Sequence, residues 1–446
     1  MNPTERNEPL FELHAHLYGC LSLDDLSWLA SRNKPRWDFF INSYERVYGK
    51  KPEVRDLFLD TPESRGRLEE YYYFRGGGSF ARFQVCFDLI IALSTLEPEE
   101  IHEIARRVVG AQRETHAEYR QMFAPGTPLP LFREKVQAFA EGLARAEREN
   151  PGKSAKAAIS LDRRSERVWA EYEAVREVMS KSETAARMIT GLDFCYIEEG
   201  HAPLEKKEFL ERVLKDNRRD PARALGVLYH VGESFTDKSV ESAARWVLEA
   251  GRLGAHRLGH CLALGVPPEF FAGTTREEVA VERIAQIDFL FREEESLRDA
   301  GLPVDRDALS GERRELAARD PAEVVPVHYD DARARFLGAF QDWAMERLKE
   351  TGSILESCPT SNLRIGGLPG PELHPLRRFL RADLPVVLGA DDPGIFDVRL
   401  QDEFALVETW EGIDAEDPRA MAERARRSTS ERLSGRLSPE PLERNV

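Results

Sequence analysis

The sequence predicts a parallel α/β barrel, a (β/α)8 or TIM barrel carrying helical insertions on its catalytic face. Three observations carry that reading. Short apolar runs of strand length alternate with long helical patterns along the chain, the order that builds a parallel sheet covered by helices. Several of those runs end in a histidine or aspartate, and strand C-termini are where such barrels place their chemistry. The length, 446 residues, suits one barrel enlarged by insertions, and 41% hydrophobic residues can fill its core.

The elements follow in order. Residues 10–17 alternate apolar and polar and stop at Gly19, as expected of a strand that delivers its last side chains into a site. His14 and His16 are two apart, so on a strand they share one face. Residues 23–74 are aromatic-rich and helical in pattern, with Trp28, Trp37, Phe39, Phe40 and Tyr71 to Phe74, and are placed over the substrate. Helical periodicity continues from Ser79, with a strand near 118–123, a helix over 131–149, a strand at 157–161 and a helix through Met179. Further strands are expected at 189–196, 225–230, 257–261, 353–357 and 385–389, with helices between most of them and two more closing the chain. The stretch 265–347 has a charged, helical pattern and no barrel assignment. It follows the strand carrying His260 and is therefore expected on the catalytic face, as a lid, a specificity wall or an oligomer contact. Its apolar run at 284–291 needs cover. The chain thus reads as a single domain over 1–446 with insertions at about 23–78 and 265–347.

Composition narrows the function classes. The formal net charge of −16 repels a phosphate backbone, which argues against a nucleic-acid polymer as ligand but not against a small anion in a basic pocket. Five cysteines with no C-x-x-C pair fit a reducing compartment without a disulfide framework. The start, Met1 to Glu8, is polar and no apolar run reaches membrane-spanning length, so the expected location is the cytoplasm with no membrane partner.

The chemistry sits in separate fragments. His14, His16 and His230 offer imidazoles and Asp391 a carboxylate, the ligand types zinc takes when one position stays open to water. Singly, His230 reads as a hydrogen-bonded core histidine and Asp391-Asp392 as a helix N-cap ahead of Pro393. In this order together they read as one zinc site. Glu233, three residues past His230, is suited to moving a proton beside it. His260 ends the next strand, and Gly259 lets backbone approach whatever occupies the barrel mouth. His256 has no such setting and is expected in an exposed loop; His102, His116, His201, His328 and His374 receive no role.

Five motifs in order give the chain a family resemblance: Glu12-Leu13-His14-Ala15-His16-Leu17, His230-Val231-Gly232-Glu233, Arg257-Leu258-Gly259-His260, Cys358-Pro359-Thr360-Ser361-Asn362 and Ala390-Asp391-Asp392-Pro393. Over about residues 10–432 it resembles the adenosine/AMP deaminase family. That resemblance implies one zinc ion per subunit on His14, His16, His230 and Asp391, with Glu233 as the acid at purine N1. It also implies His260 beside the attacking hydroxide and Asp392 at N7. Zinc lowers the pKa of bound water from 15.7 to about 7, and His260 and Asp391 are placed to orient that water and take up its proton. The implied reaction is hydrolytic replacement of the 6-amino group of an adenine nucleoside or nucleotide, releasing ammonia.

Departures from the family pattern bear on the substrate. Nucleoside-type members have aspartate where Tyr18 stands, reaching the ribose 5′-hydroxyl. A carboxylate about 4 Å from a phosphate oxygen costs about 1 kcal/mol in water and about 4 at an effective dielectric of 20; Tyr18 removes that repulsion, which favours a 5′-monophosphate such as AMP or dAMP. Arg75 with Gly76-Gly77-Gly78 is a further phosphate candidate, against its reading as a flexible hinge. Tyr196 stands near where the family has a glycine whose backbone meets N3. Expected substrate contacts are therefore Tyr18, Asp392, His16, Tyr196 and Arg75. Residues 257–265 followed by the long insertion also resemble deaminases of bacterial antiphage defence, which implies nucleotide substrates and homo-oligomers. The rival readings are an amidohydrolase acting on another C–N bond and a non-catalytic nucleotide-binding or assembly module.

Overall fold

The expected eight strands are present and parallel. In the computed structural model, which describes residues 9–437, β1 (Phe11–His16), β2 (His116–Met122), β3 (Ser154–Asp162), β4 (Ile189–Cys195), β5 (Gly226–Val231) and β6 (Arg257–His260) pair in sequence order. Two strands of an antiparallel ribbon follow, β7 (Thr275–Val279) and β8 (Val324–His328), before β9 (Ile354–Ser357) and β10 (Val386–Leu388) complete the main sheet. The polar start, Met1 to Glu8, lies outside the described residues. The sheet closes between its first and last strands: Ala15 bridges Asp391, the His16 N–H donates to the Asp391 carbonyl at 2.8 Å, and the Asp391 N–H donates to the His14 carbonyl at 2.8 Å. The result is an eight-stranded barrel ringed by helices.

Local sequence explains the helices that matter for the site. Helix Leu129–Glu149 buries Phe132, Val136, Phe139 and Leu143, spaced three or four apart on one stripe. Helix Leu23–Arg32 starts at a capping box, in which Ser22 and Asp25 satisfy each other's backbone N–H groups. Gly226 in β5 is needed because a Cβ there would lie 2.7 Å from the Cβ of Ser430, where the last described helix crosses the barrel floor. Apolar side chains such as Leu192 and Phe194 are fully buried, whereas the barrel also encloses charge. Arg120, Arg257, Glu118, Asp193 and Glu356 are essentially inaccessible and pair with one another: Arg120 with Glu356 and, at 3.4 Å, Asp193; Arg257 with Glu118 at 2.5 Å and Glu356 at 3.0 Å. Buried charge is tolerated because each member has an opposite partner.

Two expectations are corrected. The 265–347 stretch is not wholly helical, since β7 and β8 form a ribbon inside it, and Pro326 is accommodated because the pair stands apart from the barrel. The stretch also packs on the outer flank: Ser239 donates to Glu278 at 2.8 Å, Arg245 pairs with Glu282, and Tyr329 accepts the Val240 N–H at 2.8 Å. It covers helix Val240–Arg252, whose apolar residues it helps bury, and Ile287, Phe289 and Leu290 are themselves buried. His256 is not in an exposed loop. Its ring is half-buried, and Nδ1 accepts the Val227 N–H at 2.8 Å.

Candidate metal centre and active site

The C-terminal ends of β1 and β5 and the turn after β10 converge on one point. His14 Nε2 and His16 Nε2 lie 3.1 and 3.2 Å from His230 Nε2, and 3.6 and 3.4 Å from Asp391 Oδ1. Ligand atoms arranged tetrahedrally about an ion at 2.0–2.1 Å are about 3.3–3.4 Å apart, so the spacing fits a single zinc-sized cation. The protonation of the rings fits as well. His14 Nδ1 faces Glu356 at 2.9 Å and His230 Nδ1 faces Asp193 at 3.0 Å. A carboxylate only accepts, so each Nδ1 carries the proton and each Nε2 directs a bare lone pair at the cluster. Burial, with Arg120 adding, holds the His14 imidazole well below its ordinary range.

Beside the cluster stand the proton-handling groups. Glu233, His260 and Asp391 bring their ligand atoms within 4.8 Å of one another, and His260 Nε2 lies 3.6 Å from Glu233 Oε1. Burial pushes the Glu233 carboxyl up to about 7, His260 opposing and Asp391 and Glu198 reinforcing. Burial also raises Asp391, but His260 and His16 outweigh it, helped by the Ser361 hydroxyl donating to Oδ2 at 2.7 Å, and the carboxyl ends below its ordinary range. Asp392 is driven well above its range by burial, with Asp391 and Glu233 adding. Its Oδ1 has no hydrogen-bond partner among the described residues. His260, Cys261 and Asp391 all have left-handed backbone, φ +65°, +54° and +61°, a strain that gathers at sites where side-chain direction matters more than comfort.

A cavity of about 430 Å³ opens from these residues, within the range of small-molecule sites. Its aromatic wall is Phe80, Phe83 and Phe87 of helix Phe80–Leu93. This corrects the expectation that 23–74 covers the substrate: only Arg36 of that segment lines the cavity. Nor does any residue of 265–347 line it. Tyr18, His16, Asp392 and Tyr196 do. The Tyr18 hydroxyl, however, already donates to Glu100 at 3.1 Å, and Arg75 lies outside the cavity, more than half exposed, paired with Asp397 at 2.6 Å and Glu69 at 3.5 Å. Tyr196 has φ +75°, the left-handed backbone that glycine adopts freely, so its chain direction is glycine-like despite the side chain.

The structure adds residues that the sequence did not single out. Arg120, Asp193 and Glu356 hold the ligand histidines from below. Lys135, 4% exposed, lines the cavity and has no hydrogen bond or ion pair among the described residues. A charged residue inside an otherwise apolar strand was the available signal for Asp193 and Glu356; Arg120 sits in a largely polar strand, and nothing in the sequence singles out either it or Lys135.

Fold and cluster together define a parallel α/β barrel whose strand ends gather three imidazoles and a carboxylate at one point. A family model described as adenosine deaminase matches residues 338–432. Aminodeoxyfutalosine deaminase of Acidothermus cellulolyticus is 44% identical over 59 residues, 13% of this chain and 17% of that protein. A putative adenosine/adenine deaminase of Streptomyces coelicolor is 37% identical over 99 residues, 22% and 26% of the two chains. The chain thus aligns with about a sixth to a quarter of these relatives' length. Among solved structures, Arabidopsis ADAL complexed with IMP superposes with TM-score 0.57 at 17% identity, covering 96% of this chain and 94% of that one. A zinc-bound amidohydrolase from Burkholderia ambifaria gives TM-score 0.55 at 18% identity, covering 94% and 85%. These two likenesses show the shared barrel. Over residues 338–432 the chain is thus similar to the adenosine deaminase family model, and its barrel is the one these solved structures share.

Proposed function

We propose that the protein is a zinc-dependent deaminase that hydrolyses the 6-amino group of adenine nucleosides or nucleotides. The observation that carries this is the placement of Glu233, His260 and Asp391 within 4.8 Å of one another, beside four converging ligand atoms and open to one apolar-walled cavity. His14, His16, His230 and Asp391 would hold the ion. When bound, it supplies Lewis acidity that lowers the pKa of coordinated water to about 7.

The chain's own groups account for the rest. C6 of a purine is a poor electrophile until N1 is protonated, and Glu233, raised to about 7 and so keeping a substantial protonated fraction at neutrality, is the donor to N1. Asp391, held ionised, accepts the proton of the attacking water. Asp392, kept neutral by its surroundings, has a carboxyl proton to offer the acceptor N7. Phe83 and Phe87 shield the reacting centre from bulk water, which strengthens each of these interactions.

Lys135 favours a 5′-phosphorylated substrate within this reading. Its stem is buried while its ammonium faces the cavity without a protein counterion in hydrogen-bond range among the described residues, so a phosphate at the cavity end would pair with it. Glu100 does not fill that role, being occupied by Tyr18, Asn33, Thr95 and Leu96. The solved relative in complex with IMP is in keeping with a nucleotide ligand.

The test is ammonia release from adenosine, deoxyadenosine, AMP and dAMP, with metal analysis of protein purified without chelator. One zinc per chain and turnover favouring the monophosphates are expected. Strong preference for free nucleosides removes the phosphate, and metal-free protein inert toward the whole panel overturns the deaminase.

A further inference from the structure

Behind His260, two buried side chains run in series to a backbone N–H. The Asn362 side-chain amide has Oδ1 2.9 Å from His260 Nδ1 and Nδ2 3.1 Å from His374 Nε2, and His374 Nδ1 accepts the Leu376 N–H at 3.1 Å. His260, Asn362 and His374 are each 1% exposed.

The last contact dictates the others. A backbone N–H can only donate, so His374 Nδ1 is a bare lone pair. Burial, with Arg377 adding, pushes the His374 imidazole down to about 3, so the ring is neutral and its one proton sits on Nε2. That N–H faces the Asn362 amide, where only the oxygen can receive it. An asparagine amide has the same outline either way round, and its partners decide its orientation. With Oδ1 turned to His374, the NH2 group faces His260 Nδ1, which must then accept. The opposite arrangement, Oδ1 toward His260, needs His374 protonated on Nδ1 and sets that N–H against the Leu376 N–H, two donors facing each other without solvent.

We propose that His374 is a positioning residue which, through Asn362, holds His260 as its Nε2–H tautomer. This rests on the reading that His260 faces the reacting atoms. It deepens that reading, because a ring already protonated on Nε2 and tied down at Nδ1 has no lone pair to receive the proton of the attacking water. The proton passes to a carboxylate, Asp391, and His260 serves as a hydrogen-bond donor to the oxygen that forms the new bond to carbon. On this reading, of the two residues expected to orient the water and take up its proton, His260 keeps the orienting part and Asp391 takes the proton.

The experiment is long-range ¹H–¹⁵N correlation NMR on full-length protein labelled at histidine nitrogens, both zinc-loaded and after chelation, with His260→Ala and His374→Phe to assign the rings. The expected result is a proton on Nε2 and none on Nδ1 for His374 between pH 6 and 8. The neutral form of His260 should show the same pattern, read toward the alkaline side because, against burial, the Glu233 and Asp391 carboxyls hold its imidazole above its ordinary range. In His374→Phe, checked as folded by circular dichroism, His260 should lose the pure Nε2–H pattern and gain Nδ1–H. A wild-type His260 whose neutral form is protonated on Nδ1 overturns the proposal without any variant, and so does a folded His374→Phe whose His260 pattern is unchanged. Ammonia release is not read in this experiment, so an inactive protein would count against the deaminase and leave the tautomer assignment to be decided by the spectra.

Discussion

Glu233 and Asp391 share the same imidazole neighbour yet are driven in opposite directions, one carboxyl up to about 7 and the other below its ordinary range. Paired carboxyls pushed apart in this way divide the acid and base work of one reaction. Glu233→Gln keeps the shape and removes the proton transfer, so turnover should drop roughly 10²–10⁴-fold while zinc content, read by atomic absorption, stays at the wild-type level. Near-normal turnover would take Glu233 out of the chemistry. Lys135→Met should lower the ratio of kcat/KM for AMP to that for adenosine by about 10- to 100-fold, the size of one charged hydrogen bond; an unchanged ratio would send the phosphate elsewhere. The convergence of His14, His16, His230 and Asp391 was legible in the sequence because two histidines one pleat apart and a histidine and an aspartate at strand ends have a common destination in a barrel. Asp193 and Glu356 were not, since a lone charge inside an apolar strand shows no partner until the sheet is rolled up, and Arg120 was hidden among the other polar residues of β2. Arg75 misled for a related reason: a basic residue beside glycines looks the same whether it meets phosphate or, as here, Asp397 and Glu69.

At the level of elements, the turn Tyr18–Cys20 and the start of helix Pro393–Phe396 are fitted face to face. A Cβ on Gly19 would stand 1.7 Å from Asp392 Oδ1, so any side chain there must displace the carboxyl assigned to N7. Gly19→Ala should therefore destabilise by about 1–3 kcal/mol, the usual cost of overpacking, and lower turnover as well; urea unfolding and ammonia release measure the two. Wild-type behaviour in both would show that Asp392 has room to spare. The eight barrel strands were readable from short apolar runs ending in polar residues. The β7–β8 ribbon was not, because Thr275–Val279 is mostly polar and Val324–His328 contains a proline, both features of a ribbon that stands off the core. The cover of the cavity was assigned to the wrong segment for want of distance information: 23–74 and Phe80–Leu93 are both aromatic, and only packing shows which faces inward.

For the molecule as a whole, buried acids make stability depend on pH. Glu403 is fully buried and accepts the Thr360 N–H at 3.0 Å, while burial, offset in part by Thr360 and Arg364, lifts its carboxyl from 4.5 to about 8. Its folded pKa is raised, so the unfolded chain releases this proton first. The contribution is whole below about 4.5 and is lost as pH climbs through about 8. Urea unfolding across pH 5 to 8.5 should show that decline, and Glu403→Gln should flatten it; an equal slope in the variant would place the effect on another group. Metal removal acts at the same scale. Bare imidazole nitrogens packed at 3.1–3.2 Å repel one another until a cation sits between them, and a ligand that binds the folded form alone raises its melting temperature. Chelation should lower Tm and added zinc restore it; an indifferent Tm would empty the centre of any structural part.

Two of the four candidate ligands stand where the cylinder is sewn shut. β10 has only three residues, and beyond it the seam to β1 is stitched by the backbone of Asp391 to that of His14 and His16. An ion gripped by those side chains is thus also a rivet through the weakest join in the wall. Stripping it should loosen the hoop there before anywhere else, with amide hydrogens of His16 and Asp391 exchanging early while the long β2–β3 ladder stays protected.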